Sequence, residues 1–201
     1  MLVLEKGFPK LRTSRLAICA VLSAVTALGC SSPDNLVEGG ILGTATLPNA
    51  TIAVVGSALS ATGNITDESG NTSPRQIVLL ADAPNLCATL ATDPTFLQSP
   101  TEAFTALVLT MPPGMVGTFY AGAASTEAGL YASAGNGNPV YGYPGVSGTI
   151  VVQGLGAPDE GTFDLEFDDT LGDQYEVYGN FKTTPCDALS TALIPSIEIL
   201  Q

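Results

Sequence analysis

The sequence predicts an all-β domain, an antiparallel sandwich or small barrel, behind a leader that is removed on export. Three observations carry that expectation. Beyond residue 42, apolar and polar residues alternate in short runs rich in Val, Ile, Thr, Tyr and Phe, the period-two pattern of a half-buried strand. Gly, Pro, Asn and Asp break these runs at roughly 8–12-residue intervals, as in sandwiches and barrels. No segment sustains a helical period. The 201 residues suffice for one domain with a real core, and the 22 Gly and 14 Pro stay below the level of a low-complexity chain.

The leader comes first. Lys6, Lys10, Arg12 and Arg15 form a basic start, opposed by Glu5 alone, and an apolar stretch follows over 16–28. This is the pattern of a secretory signal. Thirteen apolar residues cannot cross a hydrocarbon core that needs about 20, so the stretch is not read as an anchor. Ala27-Leu28-Gly29 satisfies the small-x-small rule of ordinary signal peptidase, and Ala27-Leu28-Gly29-Cys30 also resembles the lipobox of bacterial lipoproteins, departing from it at Ala27, where Leu is commoner. Either enzyme would leave Cys30 as the first residue. The sequence therefore divides into a signal peptide (1–29), a lipidated N-terminus and polar tether with a Gly39-Gly40 hinge (30–42), and the β domain (43–201).

Within the domain, strands are expected over 43–48, 51–60, 76–82, 103–111, 117–122, 148–153, 161–168 and 174–183, with turns at 67–71 and 169–173. Residues 84–90 have room for one helical turn. The best-defined pair is a hairpin of 161–168 with 174–183. Phe163, Leu165 and Phe167 alternate with Asp164, Glu166 and Asp168; Tyr175, Val177, Gly179 and Phe181 alternate with Glu176, Tyr178, Asn180 and Lys182. One face is core and the other wet, and the row of like charges suits an edge that must not recruit another strand. The Gly/Ala/Ser-rich stretch 123–147 is expected as a long surface loop.

Cysteine arithmetic supports lipidation. Cys19 leaves with the signal, so the exported chain keeps Cys30, Cys87 and Cys186, an odd number in an oxidising compartment. If Cys30 is a thioether to lipid, Cys87 and Cys186 remain as one disulfide. That bridge would be a staple, since there is no C-x-x-C and little nearby positive charge to stabilise a thiolate.

Charge excludes several functions. The net charge is −13. Without residues 1–29 only Arg75 and Lys182 oppose eighteen acids, leaving −16. Nucleic acid is excluded as a partner, because neutralising phosphates needs Lys and Arg. With no His, there is no Ser–His or Cys–His dyad and no imidazole metal site. G-x-S-x-G, a Walker sequence and a helix-opening G-x-G-x-x-G are missing too, and the paired carboxylates alternate onto a wet strand face where glycosidase chemistry needs a cleft. The three Asn-x-Ser/Thr sequons carry no weight beside a bacterial lipobox. No enzyme activity is expected.

Two features remain as binding candidates. Eight acids fall within 159–176, and Asp168, Asp169 and Asp173 around the hairpin turn offer oxygens for calcium, although their spacing is not that of an EF-hand. In the 131–145 stretch, Tyr131, Tyr141 and Tyr143 are candidate stacking platforms for a glycan or Pro-rich peptide.

Pro84-Asn-Leu-Cys87, Gly148-Thr-Ile-Val-Val152, Gly161-Thr-Phe-Asp-Leu-Glu-Phe167, Gly179-Asn-Phe-Lys182 and Cys186 occur in that order. Together with the lipobox they resemble predicted outer-membrane lipoproteins of the myxobacterial type. The resemblance spans about two-thirds of the exported chain through short motifs. It implies outer-membrane attachment and an all-β domain, as does Ser31 after the Cys, and it implies no activity. The sequence thus points to a non-enzymatic, lipid-anchored envelope protein with a structural or interaction role, whose partners are the membrane and an envelope protein or glycan. The alternative is a calcium- or glycan-binding β module using the acidic hairpin 159–176 or the tyrosine loop 131–145, secreted if Cys30 is unlipidated.

Overall fold

A computed structural model describes residues 35–41, 55–66, 71–123, 125–136, 138, 140–156, 159–168, 174–192 and 194. All belong to the second of two units into which the chain divides, Ser32–Gln201. The domain is all-β. Among the described residues ten strands make one curled sheet, a half-barrel: β1 (Leu36–Ile41), β2 (Ser57–Thr66), β3 (Thr72–Ala81), β4 (Phe104–Met111), β5 (Gly117–Tyr120), β6 (Glu127–Ser133), β7 (Tyr141–Gly154), β8 (Glu160–Asp168), β9 (Gln174–Lys182) and β10 (Thr184–Pro185). A short helix, α1 (Leu86–Thr92), and a 3₁₀ turn (Asp187–Ser190) complete it. The strand order is β1-β9-β8-β7-β6-β4-β3-β2-β10, with β5 added to β7.

The expected hairpin forms in the expected register, with Phe163 opposite Gly179 and Leu165 opposite Val177. Phe163, Leu165, Phe167, Val177 and Phe181 are all buried, while Asp164 and Glu166 face water. It is not an edge, however. β8 lies between β7 and β9, and β1 covers the far side of β9 with Leu36 opposite Asn180. β1 occupies six of the thirteen residues of the expected tether, 36–41. The Leu36-Val37 pair can bury an apolar side chain, and Val37 is 4% exposed, so Gly39 and Gly40 serve as strand residues rather than a hinge.

The 123–147 stretch is likewise mostly strand, not loop. β6 pairs with β4 along its length, and Leu130 and Tyr131 are buried. β7 carries the chain from one half of the curl to the other: Tyr141 to Pro144 pair with β6, and Gly145 onward pairs with β8. Pro144 has no N–H to continue a ladder, so the β6 pairing stops there. Register shifts follow between Gly145 and Ser147 and between Val152 and Gly154, the local twists that let a strand turn a corner. The expected strand 43–48, and the turn residues 67–70 and 169–173, lie outside the described residues.

Two cores result. The concave face buries Leu80, Leu107, Leu109, Leu130, Ile150, Leu165 and Phe167. The convex face of β2, β3, β4 and β6 buries Leu59, Ile77, Leu79, Val108 and Tyr131 beneath Leu86 and Leu90 of α1, Phe96, Leu97 and Leu189. β3 and β4 are therefore covered on both sides, which explains the unbroken apolar run Ile77-Val-Leu-Leu-Ala81. Cys87 on α1 and Cys186 beside the 3₁₀ turn form the expected disulfide, with Cα atoms 5.8 Å apart, and it ties this outer layer together.

Candidate functional site

The sheet is clasped shut where β8 and β9 approach β2 and β3. β9 continues through Thr183 into β10, which pairs in parallel with Leu59 and Ser60 of β2. Asp159, just before β8, is 4% exposed. Its carboxylate accepts hydrogen bonds from Gln76 Nε2 (2.5 Å) and the Gly156 N–H (2.8 Å). Gln76 Oε1 in turn accepts from the Thr62 hydroxyl at 3.0 Å. The Asp159 carbonyl accepts the Thr183 N–H at 2.8 Å, and the Thr183 hydroxyl lies 2.8 Å from Ser60 Oγ and 3.2 Å from that same carbonyl. A buried carboxylate needs such partners.

A cleft of about 420 Å³ opens beside this clasp, lined by Thr62, Gln76, Gly114, Leu155, Asp159 and Asp187 among others. Its one buried carboxylate is engaged by two donors that fix the fold. Sequence reasoning missed Thr62, Gln76 and Thr183. The only signal was Gln76 itself, a polar side chain heading an apolar strand.

The residues singled out from sequence fare differently. Cys30, Asp169 and Asp173 lie outside the described residues. Asp168 ends β8, half-buried, with Oδ1 shielded and without a hydrogen bond. Among the described residues no group of three or more His, Cys, Asp or Glu is placed to hold a metal ion. Of the expected tyrosine platform, the Tyr141 side chain lies outside the described residues. Tyr131 is 4% exposed in the convex core, where burial, helped by the nearby Glu127 charge, holds its phenol neutral well above the ordinary tyrosine range. A ring packed there cannot stack a ligand. Tyr143 is half-buried against the concave core.

A different pair of tyrosines is exposed. The registers place Tyr120 opposite Thr149, Thr149 opposite Asp164, and Asp164 opposite Tyr178. Their neighbours Phe119, Ile150, Phe163 and Val177 point into the concave core, so this row lies on the outer face. Tyr120 and Tyr178 are 65% and 41% exposed. Three strand spacings set them about 14 Å apart, with a hydroxyl and a carboxylate between. No family model matches the chain, and no curated protein or solved structure is similar to it.

Proposed function

We propose that this chain is a lipid-anchored, non-catalytic protein of the bacterial outer envelope that acts through its surface, resembling the myxobacterial type of outer-membrane lipoprotein. One observation carries the reading: the Cys87–Cys186 bridge uses both other cysteines of the exported chain, leaving Cys30, at the end of a signal-like leader, as the residue for lipid. Among the described residues no helix is long and apolar enough to cross a membrane; acyl chains on Cys30 would supply the attachment. The non-catalytic part is supported by the engagement of Asp159 and by the outward, solvated placement of Asp164 and Glu166. Intact mass of membrane-extracted protein is the test. The expected mass is residues 30–201 plus diacylglycerol and an N-acyl chain, rising by two hydrogens on reduction. An unmodified 30–201 mass overturns the anchor.

A second reading is favoured by the Tyr120–Thr149–Asp164–Tyr178 row, namely that the outer face binds a neutral or cationic glycan. Aromatic faces stack on sugars while the intervening polar groups orient them, and the acidic surface repels polyanions. Titration of the exported domain with envelope polysaccharide is expected to show binding that weakens roughly tenfold in Tyr120→Ala and in Tyr178→Ala. Equal binding by both variants removes this reading.

A further inference from the structure

The strand registers bring Asn35, just before β1, and an exposed apolar loop to the same rim of the molecule. Lys182 at the end of β9 donates its N–H to Asn35 Oδ1 at 2.7 Å, so the chain joins the domain there. Only four residues separate Cys30 from Asn35, and the five steps between the two reach about 18 Å at full extension. Across the same end of the sheet, Phe181 lies opposite Gly161, Gly161 opposite Val152, and Val152 opposite Gly117. The 112–116 loop, Pro-Pro-Gly-Met-Val, leads directly into Gly117. Met115 and Val116 are 53% and 61% exposed, among the largest apolar exposures on the domain. Three to four strand spacings, about 14–19 Å, separate them laterally from Asn35.

From this juxtaposition we propose that the 112–116 loop is a second membrane contact, inserting Met115 and Val116 into the bilayer that holds the Cys30 lipid. The inference rests on the lipid-anchor reading above. A lipid surface is the occupant because an acyl anchor on Cys30 would keep this rim within about 18 Å of the bilayer, so the nearest extended surface to the loop is lipid. Charge agrees with the orientation. Lys182 is exposed at the rim, facing Glu160 across the β8–β9 pair, and Asp187 lies in the adjoining cleft. Asp164, Glu166, Asp168 and Glu176 follow along β8 and β9 toward the opposite pole, with Asp168 about 26 Å from Glu160. An anionic leaflet thus meets the least acidic end of these two strands. Pro112 and Pro113 stiffen the loop, which lowers the ordering cost of insertion. One apolar tip beside a lipid anchor converts a swinging attachment into a fixed orientation.

The chain contains no Trp, so single tryptophans report cleanly. Lipidated protein, its acylation verified by intact mass, is reconstituted into phosphatidylethanolamine/phosphatidylglycerol vesicles carrying a brominated lipid. In Met115→Trp and Val116→Trp, the tryptophan emission is expected to shift to the blue and to be largely lost to the brominated chains. Tyr178→Trp, higher on the outer face, is expected to keep its solvent-like emission. Solvent-like, unquenched emission from both loop variants on acylated protein overturns the loop contact while leaving the anchor intact. Absence of acylation at Cys30 overturns both.

Discussion

Gly148→Ala is expected to lower the thermal midpoint of the domain by about 8–16 °C, the largest effect of any single methyl group added to β7. Gly148 has φ +114°, and a β-carbon there would sit 2.2 Å from the Asp164 carbonyl oxygen and 2.7 Å from the Leu165 Cα. Those are backbone atoms of the neighbouring strand, which cannot turn aside as a side chain can. An L-residue held in a disfavoured region costs about 1–3 kcal/mol and overpacking about 1–3 more. At about 2–4 °C per kcal/mol for a domain of this size, a total of about 4 gives the stated fall. Gly156→Ala is the control. It has nearly the same φ, +118°, but nothing within 4 Å of the added carbon, so it should show the strain alone, roughly half the effect. Equal shifts for the two variants would mean that the β7–β8 approach is not what requires glycine.

Removing the disulfide with Cys87→Ala/Cys186→Ala, or by reduction, is expected to cost about 2–5 kcal/mol and about 5–20 °C in thermal midpoint. The cysteines are 99 positions apart, and closing so long a loop is worth up to about 4.7 kcal/mol in the chain-entropy account. The bridge also acts where the domain is least self-sufficient. α1 has seven residues and buries only Leu86 and Leu90, too short to persist without tertiary contacts. Its loss uncovers Ile77 and Leu79 on the convex face, so the unbridged protein should bind a hydrophobic dye before it melts. A midpoint unchanged by reduction would show that packing alone holds this layer.

The legible parts of the fold are those where side-chain pattern decides structure. The Phe163/Leu165/Phe167 alternation fixes which face of β8 is buried, because a one-residue slip would expose three large apolar groups. β6 and the first half of β7 were illegible for the opposite reason, whereas the second half was expected as the strand 148–153. Gly142, Pro144 and Gly145 read as loop punctuation, yet a strand that bends between two halves of a sheet needs small residues at its close approaches. A β-carbon on Gly145 would come within 2.8 Å of the Ala128 methyl. Tyr131 looked available to a ligand only because its strand was not recognised. The Asp159–Gln76 clasp joins residues 83 positions apart, and neither stands in a motif, so only the topology brings them together. The Tyr120–Tyr178 row depends in the same way on β5 and β9 lying on the same sheet through β7 and β8.

The pairing of β1 with β9 also fixes an order of events. Leu36 has no strand to join until Asn180 has arrived, and the disulfide likewise waits for Cys186. The first strand can lock in place only after the last full one is made, across the 144 positions of chain from Leu36 to Asn180. Pairings this distant are slow to find, so closure of this edge is expected late in folding.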